Sequence, residues 1–203
     1  MRKINKLTPL DGFDGNKFKD DCSDWNCFHE KYKEDFEEAR LQILTEEQNG
    51  LCGYTEIYIN ELKECHIDHY RKKSSSFFPT LVFDWDNFVV ATKDEDFGAT
   101  FKDNHYNNHG IQKDEYDEIY NPVEDNIIFE YTEWGAIKEE DGKIKKTVEV
   151  FNLNIESLRT RRADIIRNIK SYEDLSDEEI LSALETSGFL SVVEQELNKR
   201  KEV

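Results

Sequence analysis

The sequence predicts an α+β protein. Segments with helical periodicity lie at both ends, and between them run short β-favouring stretches bounded by turn signals. With 37% hydrophobic and 12% aromatic residues in 203, the chain can build a core, as one compact domain with appendages or two small ones.

The elements follow in order. Residues 11–38 carry Phe13, Phe18, Trp25, Phe28, Tyr32 and Phe36 among acids, which reads as one or two amphipathic helices with an aromatic face. Phe36, Ala39, Leu41 and Ile43 continue the pattern from Tyr32 to Leu44, and Asn49-Gly50 is a helix stop. Leu51 to Ile59, Leu81 to Phe83 and Phe88 to Val90 favour strands. Residues 91–126 are polar and read as a loop with at most one helical turn, closed by Asn121-Pro122. A hairpin signal runs from Ile127-Ile128-Phe129-Glu130-Tyr131 to Trp134-Gly135-Ala136-Ile137, with Asp141-Gly142 turning the chain into a third strand, Ile144 to Val150. After Asn154 the helical period returns through Leu158, Ile165, Ile166 and Ile169. The tail opens on a capping box, Ser176 to Glu179, and holds two short helices joined at Ser187-Gly188.

Composition excludes several classes. Lys and Arg number 27 against 45 Asp and Glu, a net charge of −18, which argues against an autonomous binder of duplex DNA. No run approaches a membrane span, so no membrane is expected as a partner, and Met1 to Leu10 lacks the apolar run of a signal peptide. Cys22, Cys27, Cys52 and Cys65 suggest no disulfide framework, so a cytoplasmic location with reduced thiols is expected. Walker, dinucleotide and nucleophile-elbow motifs are absent.

The densest chemistry is His66-Ile67-Asp68-His69. In a strand, 66 and 68 share one face and 67 and 69 the other, and this set can supply a metal ligand and a general base. The alternative is that one or more of these imidazoles simply bonds to backbone. His105 and His109 stand four apart, the spacing that lets two imidazoles meet one cation on a helical turn, or else they belong to a solvated polar loop.

Three segments carry a resemblance. Glu47-Gln48-Asn49-Gly50-Leu51-Cys52-Gly53-Tyr54-Thr55-Glu56, then His66 to Ser74, then Phe83-Asp84-Trp85-Asp86-Asn87-Phe88, resemble the HNH endonuclease family of retron and Septu anti-phage systems, the PtuB-like proteins. Met1 to Ile4, Asn121-Pro122 with Glu124-Asp125, Thr147 to Leu153 and Leu158 to Arg162 extend it across most of residues 1–167. The resemblance implies an HNH ββα-metal core at 45–110; the chain's own patterning sets a helical segment at 1–44 before it, and a hairpin plus helix at 111–170 and a helical tail at 171–203 after it. It implies that Asp68 ligates a divalent ion (Mg, Mn, Ni or Zn), that His69 is the general base of phosphodiester hydrolysis, and that Asn87 fixes the loop and the base. His66 is then a further ligand or orients the strand. Lys102 matches a phosphate contact, and Arg71, Lys72 and Lys73 suit nucleic acid. The implied partners are a PtuA-like ATPase, a retron reverse transcriptase with its RNA–DNA, and a DNA or RNA substrate.

The chain departs from that family where metal chemistry concentrates. Thr55 stands where a second knuckle cysteine is expected, and Ala91 to Thr100 has no Cys, so no structural zinc is expected; packing by Phe88, Phe97 and Phe101 replaces the staple. Cys52 then reads as a buried small hydrophobe. The third metal ligand falls to His105, His109, Asp96 or Asp103. The alternative function is a degenerate HNH-fold subunit that docks on the ATPase without catalysis.

Overall fold

The computed structural model describes residues 1–201, apart from positions 11, 12, 14, 23, 127 and 173 and the side chains of Asn16 and Lys17. It is an α+β fold in which helices surround one small antiparallel sheet.

Three helices open the chain: α1 (Gly15–Asp21), α2 (Trp25–Lys31) and α3 (Lys33–Gln42). Asp24 caps α2 by accepting from the Cys27 amide at 2.9 Å. Their aromatic faces meet as expected, with Phe18 and Phe28 rings 4.4 Å apart and Trp25 5.2 Å from Phe88. α3 widens into a π turn over Ile43–Glu47, and the left-handed pair Asn49 (φ 53°) and Gly50 (φ 75°) then stops the helix where the sequence placed the stop.

The sheet has two strands, β1 (Cys65–His69) and β2 (Phe88–Thr92), paired from Cys65 opposite Thr92 to His69 opposite Phe88. β2 is a continuous apolar run, Phe88 to Ala91, buried on both faces. Its outer edge is covered by a side chain: the Gln48 amide accepts from Val90 N–H at 2.9 Å and donates to Val90 C=O at 2.8 Å, in the manner of a neighbouring strand. Gly53 N–H reaches the same carbonyl at 3.0 Å. A β-carbon on Gly53 would lie 2.3 Å from a Val89 methyl, so only glycine allows that approach.

Several elements differ from the sequence expectation. Leu51 to Ile59 makes a single bridge, Leu51 to Tyr58, and Leu81 to Phe83 is no strand: Pro79–Leu81 is a 3₁₀ turn, a start that proline's fixed φ favours. Of the hairpin, one bridge remains, Tyr131 to Ile137, while Ile127 lies outside the described residues. The third run is helix α5 (Gly142–Phe151), whose N-cap Asp141 accepts from Ile144 N–H at 2.7 Å. Thr147, Val148, Val150 and Phe151 are buried, so residues 147, 150 and 151 share the helical spacing, and Asp141-Gly142 starts a helix instead of turning a hairpin. Within 91–126 the chain is more ordered than a loop, with α4 (Gly98–Thr100), a π turn over Phe101–His105 and 3₁₀ turns at 106–108 and 113–118.

α6 (Glu156–Ser171), α7 (Asp177–Ala183) and α8 (Leu190–Lys201) follow as expected, with the Ser176–Glu179 capping box formed and Gly188 at φ 75° in the joint. Of the basic residues Arg159, Arg161 and Arg162 on α6, one faces inward. Arg162 is buried and donates to Gly135 C=O at 2.6 Å and Leu153 C=O at 2.7 Å, which ties α6 to the hairpin. α8 returns to the start of the chain, where Glu56 takes the Met1 ammonium at 2.9 Å together with Ser191 N–H at 2.9 Å and Ser191 O–H at 2.6 Å.

Candidate active site

A cleft of about 700 Å³ opens at the C-terminal end of β1 and is lined by Trp25, His66, Asp68, His69, Lys72 and Lys73. Strand alternation sets its chemistry, bringing Asp68 and His69 to the strand end on opposite faces.

His69 is oriented from behind. Its Nε2 lies 3.0 Å from the Val82 carbonyl oxygen, which can only accept, so Nε2 carries the proton and Nδ1 presents its lone pair. Nδ1 accepts from the Lys73 ammonium at 3.3 Å. The ring is walled by Trp25 at 4.5 Å and Phe88 at 5.1 Å, both edge-to-face. Burial, with Lys73 adding like charge, lowers the His69 pKa to about 3, the Val82 carbonyl opposing the shift. His69 is therefore the neutral tautomer a general base requires, though a weakly basic one in this state.

Asn87 holds the long loop between the strands. Its Oδ1 accepts from Arg71 N–H at 2.8 Å and its Nδ2 donates to Arg71 C=O at 3.0 Å and Leu81 C=O at 3.3 Å. The loop so closed carries Lys72 and Lys73 on one limb and Val82 on the other.

Asp68 has partners that sequence reasoning missed. One of its oxygens, Oδ2, accepts from the Tyr54 hydroxyl at 2.6 Å and from the Lys102 ammonium at 2.9 Å. Lys102 is wholly buried and also donates to Tyr70 C=O at 2.9 Å and His69 C=O at 3.2 Å, while Asp103 Oδ1 lies 3.3 Å away. Burial acts against the Asp68 charge, yet Lys102 and the Tyr54 hydroxyl outweigh it and hold the carboxyl below its ordinary pKa. Burial likewise opposes the Lys102 charge, and Asp103 and Asp68 overcome it. Lys102, expected as a phosphate contact, is thus an internal cation without exposed surface. The sequence signal for Tyr54 was its place beside Cys52 in the first of the three motif segments.

The basic run is engaged by neighbouring groups of the same chain. Arg71 pairs with Glu124 at 3.2 Å, Lys72 donates to Asp103 C=O at 2.7 Å, and Lys73 caps His69. Burial lowers the pKa of both lysines. His66 is half-buried beside Asp68, its pKa lowered by burial, and its Nδ1 has no hydrogen-bond partner.

His105 and His109 are exposed and do not share a helical face, because Asn107 (φ 52°) and Asn108 (φ 64°) are left-handed and break the turn between them. Among the described residues no three His, Cys, Asp or Glu side chains are grouped to hold a metal ion. The divalent ion implied by the resemblance does not fit the residues present: the Lys102 ammonium already neutralises Asp68 through Oδ2, and no third His, Cys, Asp or Glu among the described residues joins Asp68 and His66. Where the resemblance would put a zinc knuckle, Cys52 is buried and Thr92 donates to its sulfur at 3.7 Å. Phe97 is buried and Phe101 half-buried, whereas Phe88 packs with the N-terminal aromatics instead.

No helix among the described residues is long and apolar enough to cross a membrane. No family model matches the chain. A curated relative, Septu protein PtuB from Bacillus mycoides (strain KBAB4), is 25% identical over 196 residues, which cover 86% of this chain. The match spans 64% of the relative's own length. The similarity supports a PtuB-like relationship for this chain, and it runs through the strand that presents Asp68 and His69.

Proposed function

We propose that this chain is a PtuB-like component of a Septu- or retron-type anti-phage defence system, acting with a PtuA-like ATPase, and that its cleft engages a phosphodiester with His69 as the base. The orientation of His69 carries the reading: Nε2–H is spent on Val82 C=O, so Nδ1 is directed as a proton acceptor beside a lysine. A phosphate entering the cleft would draw the Lys73 ammonium from Nδ1 onto its own oxygens. Nδ1 would then be free to take a proton from water, and the anion's charge would raise the basicity that burial suppresses.

Similarity to a Septu protein over most of the chain supports the defence role. The acid excess of the whole, −18, supports a division of labour in which a more basic partner, or the RNA–DNA of a retron reverse transcriptase complex, brings the substrate.

A second reading, a non-catalytic subunit docked on the ATPase, is favoured by Lys102 on Asp68. The test is a nuclease assay on the assembled complex with Mg²⁺, Mn²⁺, Ni²⁺ or Zn²⁺ and with a chelator, run in parallel with phage protection. His69→Ala is expected to abolish cleavage while the protein stays folded. Cleavage retained by that variant overturns the catalytic role, and no cleavage by wild type in any condition establishes the docking subunit.

A further inference from the structure

We propose that Lys102 is the resident cation of this cleft: its ammonium stands where a divalent ion would sit on Asp68, and the pair is a permanent staple between β1 and the helical turns after β2. The proposal concerns the cation alone and holds whether or not the cleft cleaves anything.

The coordination argues for it. An ammonium has three protons, and Lys102 finds three acceptors: Asp68 Oδ2 at 2.9 Å, Tyr70 C=O at 2.9 Å and His69 C=O at 3.2 Å. Asp103 Oδ1 lies 3.3 Å away as a second carboxyl, although burial pushes its pKa up against the pull of Lys102. Two carboxyl groups and two carbonyls form the kind of all-oxygen cage that hard metal ions take, here filled by a tethered amine. Burial works against a lone ammonium, yet these anions hold Lys102 protonated.

The helical segment explains the tether. Gly98 begins it at φ 71°, and the turn widens at Phe101–His105, which delivers the 102 side chain inward while 104 and 105 stay exposed. Gly110 then passes so close that a β-carbon there would sit 1.9 Å from Asp103 C=O, and Ile111 N–H bonds Lys102 C=O at 2.8 Å. The lysine is thus gripped at its backbone as well as at its head. The counter-observation is His66, whose unpartnered Nδ1 could offer a nitrogen ligand. A dication held by His66 and Asp68 would sit against the fixed charge of Lys102, and the repulsion opposes it.

The experiment uses the full chain and two readouts that need no activity. Calorimetric titration with Mn²⁺ and with Zn²⁺, and thermal melting with each ion or with chelator, are expected to show neither saturable binding nor a shifted midpoint. Lys102→Met is expected to lower the melting temperature, and Mn²⁺ is expected to raise it again in that variant alone. Asp68→Asn with Lys102→Met is expected to lose less stability than the sum of the single changes, because the two act as a pair. Saturable binding of either ion to wild type that Asp68→Asn removes overturns the proposal. So does additivity of the two substitutions. The wild-type titration decides the matter even where Lys102→Met fails to fold.

Discussion

His69 illustrates what burial does to a titrating group. Its folded pKa, about 3, lies below the ordinary imidazole value, so the unfolded chain takes up a proton at pH values where the folded site refuses one. The contribution to stability is complete above about pH 6.5 and declines as the pH falls toward 3, by up to about 1.4 kcal/mol per pH unit. His69→Gln is expected to flatten the acid side of a plot of unfolding free energy against pH over that window; an unchanged slope would refute the burial of a neutral imidazole. Tyr54→Phe removes one of the two donors to Asp68 Oδ2 and is expected to cost about 1.5–3 kcal/mol in urea denaturation, as for a hydrogen bond to a charged group. The strand residues His66, Asp68 and His69 were legible because alternation is local. Lys102 was not, since it reads in sequence as one cation in a polar acidic stretch, and its burial depends on acceptors more than thirty residues earlier.

Among the elements, the helices near both ends and β2 could be read from the residues, whereas β1 was expected only from the resemblance and the run at 144–150 was misread. Thr147, Val148 and Val150 are β-branched and favour a strand, but burial at 147, 150 and 151 and the Asp141 cap select the helix. The chain around β2 is held by a side chain that periodicity cannot reveal. Gln48→Ala would leave Val90 N–H without its acceptor and is expected to destabilise by about 1–3 kcal/mol, measured by urea unfolding. Gly110→Ala meets both a left-handed φ of 76° and the Asp103 carbonyl, so a loss of at least about 2 kcal/mol is expected by the same measurement.

Across the whole molecule, the charge of −18 is joined by a second fact: the basic run that seemed free to grip a substrate is occupied internally by Glu124, Asp103 and His69. The isolated chain is expected to show no measurable binding to duplex or single-stranded nucleic acid at physiological salt, and fluorescence anisotropy on the chain alone and on the assembled complex checks this. Tight, salt-sensitive binding by the isolated chain would contradict it. The acid excess was legible in composition, but the pairing of the basic run was not, because its partners Glu124 and Asp103 lie more than thirty residues further along the chain.

Trp25 turns the cleft into something that can be watched. Its indole touches the His69 ring and lies beneath the Lys73 ammonium, 5.6 Å from the ring centre. Of the other two tryptophans, Trp85 is 8% exposed in the aromatic cluster and Trp134 is 68% exposed on the hairpin. Indole emission responds to nearby charge and hydration, so any anion that lifts Lys73 from His69 alters the light from Trp25 and leaves the solvent-facing Trp134 as a constant background. With Trp134→Phe in place, the chain carries an intrinsic optical gauge of whether its cleft is filled, readable without a label and before any product has formed.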